Sequence, residues 1–275
     1  MTLGIDIGGT NLSLGLVHEG RIQRMITAPS FHPEATMEQT LEYLASQIRR
    51  ILTLETTKIG IGVPTIVDIE KGIVYEAVNI PSWKEVPIKD YLENEFHIPV
   101  AVNNDANCYA MGVYGSYPAD RKPDLLVTVT LGTGVGIGIV AGGQLFCGVN
   151  CGAGELGSLP YKDSIIEDYC AKKYFISNGW EGKTASEAAA AGDPAALALY
   201  AQLGENLGEM LCAVMLAYDP SHIAFGGGIA KGHPYFHDAM MHHLQTYFPY
   251  KKAVERLQID YFADNDIPVI GAALL

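Results

Sequence analysis

Three apolar strands in this chain run directly into glycine-rich turns: residues 3–7 into Gly8-Gly9-Thr10-Asn11, residues 125–131 into Gly132-Thr133-Gly134, and residues 223–225 into Gly226-Gly227-Gly228. Glycine has no Cβ, so backbone N–H groups in such a turn can approach an anion closely, and the hydroxyls of Thr10 and Thr133 add donors. Each turn alone reads as ordinary hairpin punctuation. Together, and with the acidic Asp6 at the end of the first strand, they favour two cradles that face across a cleft and clamp the β- and γ-phosphates of a nucleotide. Gly8, Gly9, Thr10, Asn11, Gly132, Thr133, Gly134, Gly227 and Gly228 are the candidate nucleotide-binding residues.

Periodicity supplies the rest of the organisation. Residues 12–18, the turn Glu19-Gly20 and extended chain from Arg21 continue a β-meander. Met37, Leu41, Leu44, Ile48, Ile51 and Leu52 recur at steps of three and four, which predicts a helix over 36–52. A strand over 58–63 ending at Pro64, a helix around 88–95, a strand over 100–102 and a helix over 106–114 follow. The second half repeats the logic of the first, strand, polar glycine turn, strand over 135–140, and the two halves read as duplicated units. A largely buried helix is expected over 194–217. The domain boundary is placed so that 1–113 form a smaller N-terminal α/β domain and 114–275 a larger C-terminal one, the last few residues packing back on the N-terminal domain.

Composition narrows the partners. The chain has 275 residues and a formal charge of −13, which repels phosphate backbones and anionic bilayers and argues against nucleic acid and membrane. A nucleotide is still admissible, because local N–H groups and a divalent cation can screen it. The five cysteines are odd in number and scattered, which fits reduced thiols better than a disulfide framework. The opening Met1-Thr2-Leu3-Gly4-Ile5-Asp6 has no basic segment of a secretory signal, and no uncharged apolar run is long enough to span a bilayer. A cytoplasmic location is the expectation.

Two strand ends carry carboxylates. Asp6 would be costly to bury without a cation or donors, so a role near Mg2+, through water, follows. Asn103-Asn104-Asp105-Ala106-Asn107 places a carboxylate and amides where they can read a hydroxylated ligand, and a carboxylate against a hydroxyl can take its proton. The same cluster is equally an ordinary helix N-cap. Trp83 could stack on a sugar or pack its own loop, and His237, His242 and His243 read as solvated surface.

In order and spacing, Asp6-Ile7-Gly8-Gly9-Thr10-Asn11, Asn104-Asp105-Ala106-Asn107, Leu131-Gly132-Thr133-Gly134-Val135-Gly136, Gly152-Ala153-Gly154-Glu155-Leu156-Gly157 and Gly226-Gly227-Gly228-Ile229 resemble the ROK family of sugar kinases over nearly the whole chain. The resemblance implies an α/β, two-domain actin-like ATPase (ribonuclease-H-like) fold with ATP and sugar in an interdomain cleft, and a homodimer. It implies Asp105 as general base, Asn104 and Glu155 as sugar ligands, Gly9, Thr10, Thr133 and Gly227 as nucleotide contacts, and Glu167 as a second sugar-binding glutamate. Gly62-Val63-Pro64 and Asn79-Ile80-Pro81-Ser82-Trp83 resemble the family's other sugar-side loops.

Departures are specific. Ser158 stands where the family commonly has a histidine, and the short 159–165 segment replaces its cysteine-rich zinc loop, so no zinc is expected, at Cys147, Cys151 and Cys170 or elsewhere. Thr65 stands where glycine is common. These leave the identity of the sugar open, as well as ATP against polyphosphate as donor. Two other classes share the motifs. A sugar-responsive regulator would carry a DNA-binding segment ahead of Asp6, where no room is expected, and an actin-like ATPase acting on a non-sugar substrate would not need Asn104-Asp105 beside Glu155.

Overall fold

The computed structural model describes every residue except Val78 and Ala263, and the chain divides into two compact units. The first comprises Met1–Lys122, Gly138–Ala153 and Asp264–Leu275, the second Pro123–Ile137 and Gly154–Ala263.

In the first unit, strands β1 (Thr2–Ile7), β2 (Asn11–His18), β3 (Arg21–Pro29), β4 (Lys58–Val63) and β5 (Val100–Asn104) form a sheet of order β3-β2-β1-β4-β5. The meander β1-β2-β3 is antiparallel, whereas β4 runs parallel to both β1 and β5. Leu3, Ile5 and Ile7 of β1 and Ile59, Ile61 and Val63 of β4 stand at alternate positions on one face and are fully buried, and on the opposite face Gly4, Gly60 and Gly62 are buried too, so both faces of the central strands are covered. Helix Met37–Ile51 packs Leu41, Leu44, Ile48 and Ile51 into this core. Its start is set by a capping box: Gln39 N–H donates to Thr36 Oγ1 at 3.3 Å while Thr36 N–H donates to Gln39 Oε1 at 2.9 Å.

Glycine lets a second helix lie on the sheet almost backbone to backbone. Gly4 and Gly60 are register partners on β1 and β4, and a Cβ at Gly4 would lie 2.0 Å from the Val269 carbonyl oxygen, one at Gly60 1.8 Å from that of Ala272. Both carbonyls belong to the C-terminal helix Ile267–Ala273, which also packs on helix Asp105–Ser116. Between β4 and β5 the chain forms a small antiparallel sheet of Val67–Asp68, Ile73–Glu76 and Lys84–Val86. Trp83 beside it is fully buried, donates through Nε1 to Thr40 Oγ1 at 2.7 Å and lies 5.3 Å from the Phe31 ring. Of the two sequence readings for Trp83, loop packing is therefore the one observed.

The second sheet repeats the plan. Strands β6 (Leu125–Leu131), β7 (Val135–Ala141), β8 (Gln144–Leu145), β9 (His222–Gly226) and β10 (Gln258–Tyr261) are ordered β8-β7-β6-β9-β10, with β9 parallel to β6 and β10. The long helix Pro194–Tyr218 starts with Pro at its first turn and Asp193 accepting from the N–H groups of Ala195 and Ala196, both at 2.9 Å. It packs against helix His233–Tyr247. Among the described residues no helix is long and apolar enough to cross a membrane.

Candidate active site

Parallel pairing sets the candidate residues of the first unit side by side. Asp6 on β1 is the register partner of Gly62 on β4, and Gly62 is the partner of Asn103 on β5. The 8–11 turn, the Pro64 loop and the Asn104-Asp105 helix start thus all leave the carboxyl ends of three adjacent parallel strands, the edge at which open α/β sheets bind ligands. Gly62 allows the close fit, since a Cβ there would meet Cys108 Sγ at 3.1 Å and the Asp105 Cα at 3.5 Å.

The first glycine turn is held from behind and open in front. Gly8 N–H donates to the Asn11 carbonyl at 3.0 Å, Ser30 Oγ donates to the Gly8 carbonyl at 2.8 Å, and Ser30 N–H to that of Thr10 at 2.9 Å. Gly9, Thr10 and Asn11 stay exposed. The Asn79 side chain flanks the turn, its Nδ2 3.7 Å from where a Gly9 Cβ would lie, so one expected sugar-side loop meets one expected phosphate turn. Ser30 was not legible as a site residue, because nothing in its spacing ties it to a turn 22 positions earlier.

Burial at the end of β1 pushes the Asp6 carboxyl up to about 6, with desolvation as the cause. A strand-end carboxylate of this kind fits a hydrated divalent cation, whose charge would return it to the ionised form. For the apo fold the sign is unfavourable: relative to an unfolded value of 3.8, the contribution is best below that pH and is lost as pH rises through about 6. Asp6→Asn is therefore expected to raise the stability of metal-free protein at pH 7.5, by about 2–3 kcal/mol at most, with no gain near pH 3.5. Denaturant titrations of both proteins in a chelator, at several pH values, check this.

At the end of β5 the cap and the carboxylate have separate owners. Asn104 is the N-cap of helix Asp105–Ser116, its Oδ1 accepting from Ala106 N–H at 2.8 Å and Asn107 N–H at 3.4 Å, while its Nδ2 donates to the Thr65 carbonyl at 3.2 Å. Asp105 is the first helical residue, and its Oδ1 accepts from Ala106 N–H at 2.7 Å. Behind them Asn103 Oδ1 accepts from Asn104 N–H at 2.8 Å and from Asn107 Nδ2 at 2.9 Å. Asn107 Nδ2 lies 3.6 Å from Cys147 Sγ and 3.7 Å from Cys151 Sγ. Those thiols sit against amides, Cys170 is buried in the second unit, and among the described residues no cluster of three or more His, Cys, Asp or Glu side chains could hold a metal.

The second unit carries the other two turns and both glutamates. Gly226 is the register partner of Thr130, so the turns after β6 and β9 leave adjacent parallel strand ends. Gly227 has φ +84°, and a Cβ on it would lie 2.4 Å from the Leu131 carbonyl oxygen, which excludes larger residues on both counts. In the 132–134 turn Gly132 N–H donates to the Gly134 carbonyl at 3.0 Å, and Thr133 is exposed. Glu167, on the short helix Ile166–Cys170, accepts from Val135 N–H at 2.8 Å through Oε2, the atom that a Gly134 Cβ would meet at 2.4 Å. Glu155, in the turn Glu155–Ser158, is exposed as a residue, yet its carboxyl is pushed up by desolvation and then by the Glu167 charge. The two carboxylates therefore share one neighbourhood.

The ROK family model matches residues 2–275. A glucokinase of Halalkalibacterium halodurans is 29% identical, the alignment covering 89% of this chain and 85% of the relative. An N-acetyl-D-glucosamine kinase of Aliivibrio salmonicida is 28% identical over 84% and 85% of the two chains. Among solved structures, a ROK family glucokinase from Streptomyces griseus in complex with glucose and AMPPNP matches with a TM-score of 0.80 at 26% identity, over 99% of this chain and 97% of that one. The fold is the two-domain actin-like ATPase fold of these neighbours.

Proposed function

This chain belongs to the ROK family and is a sugar kinase, and from that premise we propose that it transfers the γ-phosphoryl group of ATP to a hydroxyl of a hexose-type sugar, with Asp105 as general base. The observation that carries this reading is the register Asp6, Gly62, Asn103, which brings a candidate cation ligand, a sugar-side loop and the Asp105 helix start to one strand edge.

In the proposed reaction the sugar oxygen attacks the γ-phosphorus while its proton passes to the Asp105 carboxylate. A new O–P bond forms, the bond from phosphorus to the ADP oxygen breaks, and ADP leaves. Gly62, Asn79, Asn104, Glu155 and Glu167 hold the sugar hydroxyls. Gly8, Gly9, Thr10, Asn11, Gly132, Thr133, Gly134, Gly227 and Gly228 hold the phosphates with backbone and hydroxyl donors. Asp6 would hold Mg2+ through water, and the bound ion would screen charge on the β- and γ-phosphates. Little covalent chemistry falls to the protein, so positioning and electrostatics supply the rate.

A coupled assay of ADP release over glucose, mannose, fructose and N-acetylated hexosamines, with and without Mg2+, tests this. At least one sugar is expected to stimulate release by more than about tenfold over the sugar-free rate, water being the poorer acceptor once the site closes. ADP release that is equally fast without sugar would remove the kinase reading in favour of a plain ATPase.

A further inference from the structure

Lys162 sits at the tip of the hairpin of Pro160–Tyr161 and Ser164–Ile165, with its backbone in the left-handed region at φ +53°. A side chain with a Cβ is strained there, so something must hold it. The ammonium donates to Asn206 Oδ1 at 2.8 Å and lies over two rings, 4.9 Å from the Tyr161 centroid and 4.7 Å from that of Tyr169. Tyr161 OH donates to the same Asn206 oxygen at 3.2 Å, and Asn206 Nδ2 donates to the Tyr169 carbonyl at 3.1 Å. Asn206 is only 1% exposed in the middle of helix Pro194–Tyr218, where an amide without partners would be costly.

The helix that follows the hairpin, Ile166–Cys170, has five residues and no side-chain N-cap. One turn cannot hold itself in water, so tertiary contacts set its direction. Other ties reach it through Asp168, which pairs with Ser164 and Lys173, and through the Tyr169 hydroxyl, which donates to Asp163. Lys173, like Lys162, is exposed, so what Lys162 contributes is its bond to buried Asn206 and its place over the two rings. A part-buried tie is the Asn206 bond to the Tyr169 carbonyl, beside the bond from the N–H of buried Ile166 to the Leu159 carbonyl at 3.0 Å. Two residues earlier stands Glu167, whose carboxylate meets Val135 N–H and Gly134, and just beyond the helix Lys172 N–H donates to the Gly132 carbonyl at 3.0 Å.

We propose that Lys162 is a positioning residue of the phosphoryl-transfer site: by locking Tyr169 and the hairpin onto Asn206, it sets the direction of the 166–170 helix and hence the reach of the Glu167 carboxylate toward sugar. The inference rests on the reading of Glu167 as a sugar ligand. Lys162 itself touches no reactant.

The test compares wild type with Lys162→Met, Lys162→Arg, Glu167→Gln and the Lys162→Met/Glu167→Gln double variant, read as sugar KM, ATP KM and kcat below the melting temperature of each. Lys162→Met is expected to raise sugar KM by about tenfold with ATP KM within about twofold, Lys162→Arg to recover most of the loss, and the double variant to be no worse than Glu167→Gln. Should Lys162→Met not fold, Lys162→Gln, which keeps an N–H donor for Asn206 but loses the charge over the rings, is read the same way. Unchanged sugar KM in the Lys162 variants, beside a raised one in Glu167→Gln, overturns the clamp alone. Full additivity in the double variant also overturns it, because Lys162 would then act elsewhere. Normal sugar KM in Glu167→Gln removes the sugar-ligand reading of Glu167 and the clamp with it.

Discussion

Replacing Asp105 by Asn is expected to leave sugar binding nearly intact and to slow turnover by at least about 100-fold, the lower end of general-base contributions. An amide matches the carboxylate in shape and can still accept from Ala106 N–H as Asp105 Oδ1 does, but it cannot take a proton from the attacking hydroxyl. The fold should not suffer, because the helix is capped by Asn104. Asn104→Ala makes the opposite case: it removes the cap at about 1 kcal/mol of stability while leaving the base in place, so its kinetic cost should fall on sugar KM. Steady-state kinetics with calorimetric sugar binding separate the two. Turnover of Asp105→Asn near the wild-type rate would show that the proton goes elsewhere.

Gly60→Ala is expected to destabilise the chain by about 3 kcal/mol or more, the upper end of overpacking costs. Its Cβ would lie 1.8 Å from the Ala272 carbonyl oxygen and 2.7 Å from the carbonyl carbon, and backbone cannot rotate away as a side-chain end can. The helix Ile267–Ala273 would have to lift off β1 and β4, taking buried Val269 and Ala272 with it. Gly182→Ala is the control: nothing lies within 4 Å of its Cβ position, at the first residue of helix Gly182–Ala190, so it should be neutral or slightly stabilising. Denaturant midpoints measure both. A Gly60→Ala midpoint equal to that of the control would mean that the helix does not sit where it is described.

Much of the secondary structure was legible because period and punctuation agree. The strand expected over 58–63 is Lys58–Val63, that over 125–131 is Leu125–Leu131, and the helix expected over 36–52 is Met37–Ile51 with its capping box. The duplicated strand, glycine turn, strand pattern returns as two sheets of the same order. The C-terminal helix and β10 were not legible, since the helix has no 3.6-residue stripe and its fit depends on Gly4, Gly60 and Gly112, more than 150 positions away, while β10 is set by its pairing with β9. At the candidate site, residue types were legible and their division of labour was not: whether Asp105 or its neighbour caps the helix turns on backbone angles, and Asn104 at φ −64° and ψ 146° is the residue in cap geometry.

What the sequence determined unaided was local: which strands end in glycine, where a carboxylate follows a strand, and which family pattern those turns spell in order. These follow from neighbours along the chain, where Cβ loss, capping and periodicity act. Tertiary structure alone decided that Asp6, Gly62 and Asn103 share one register, that the Trp83 indole spends its N–H on Thr40, and that Lys162 finds Asn206. Each joins residues about 40 or more positions apart, or depends on which strand pairs with which, and no property of either partner's local sequence encodes that meeting.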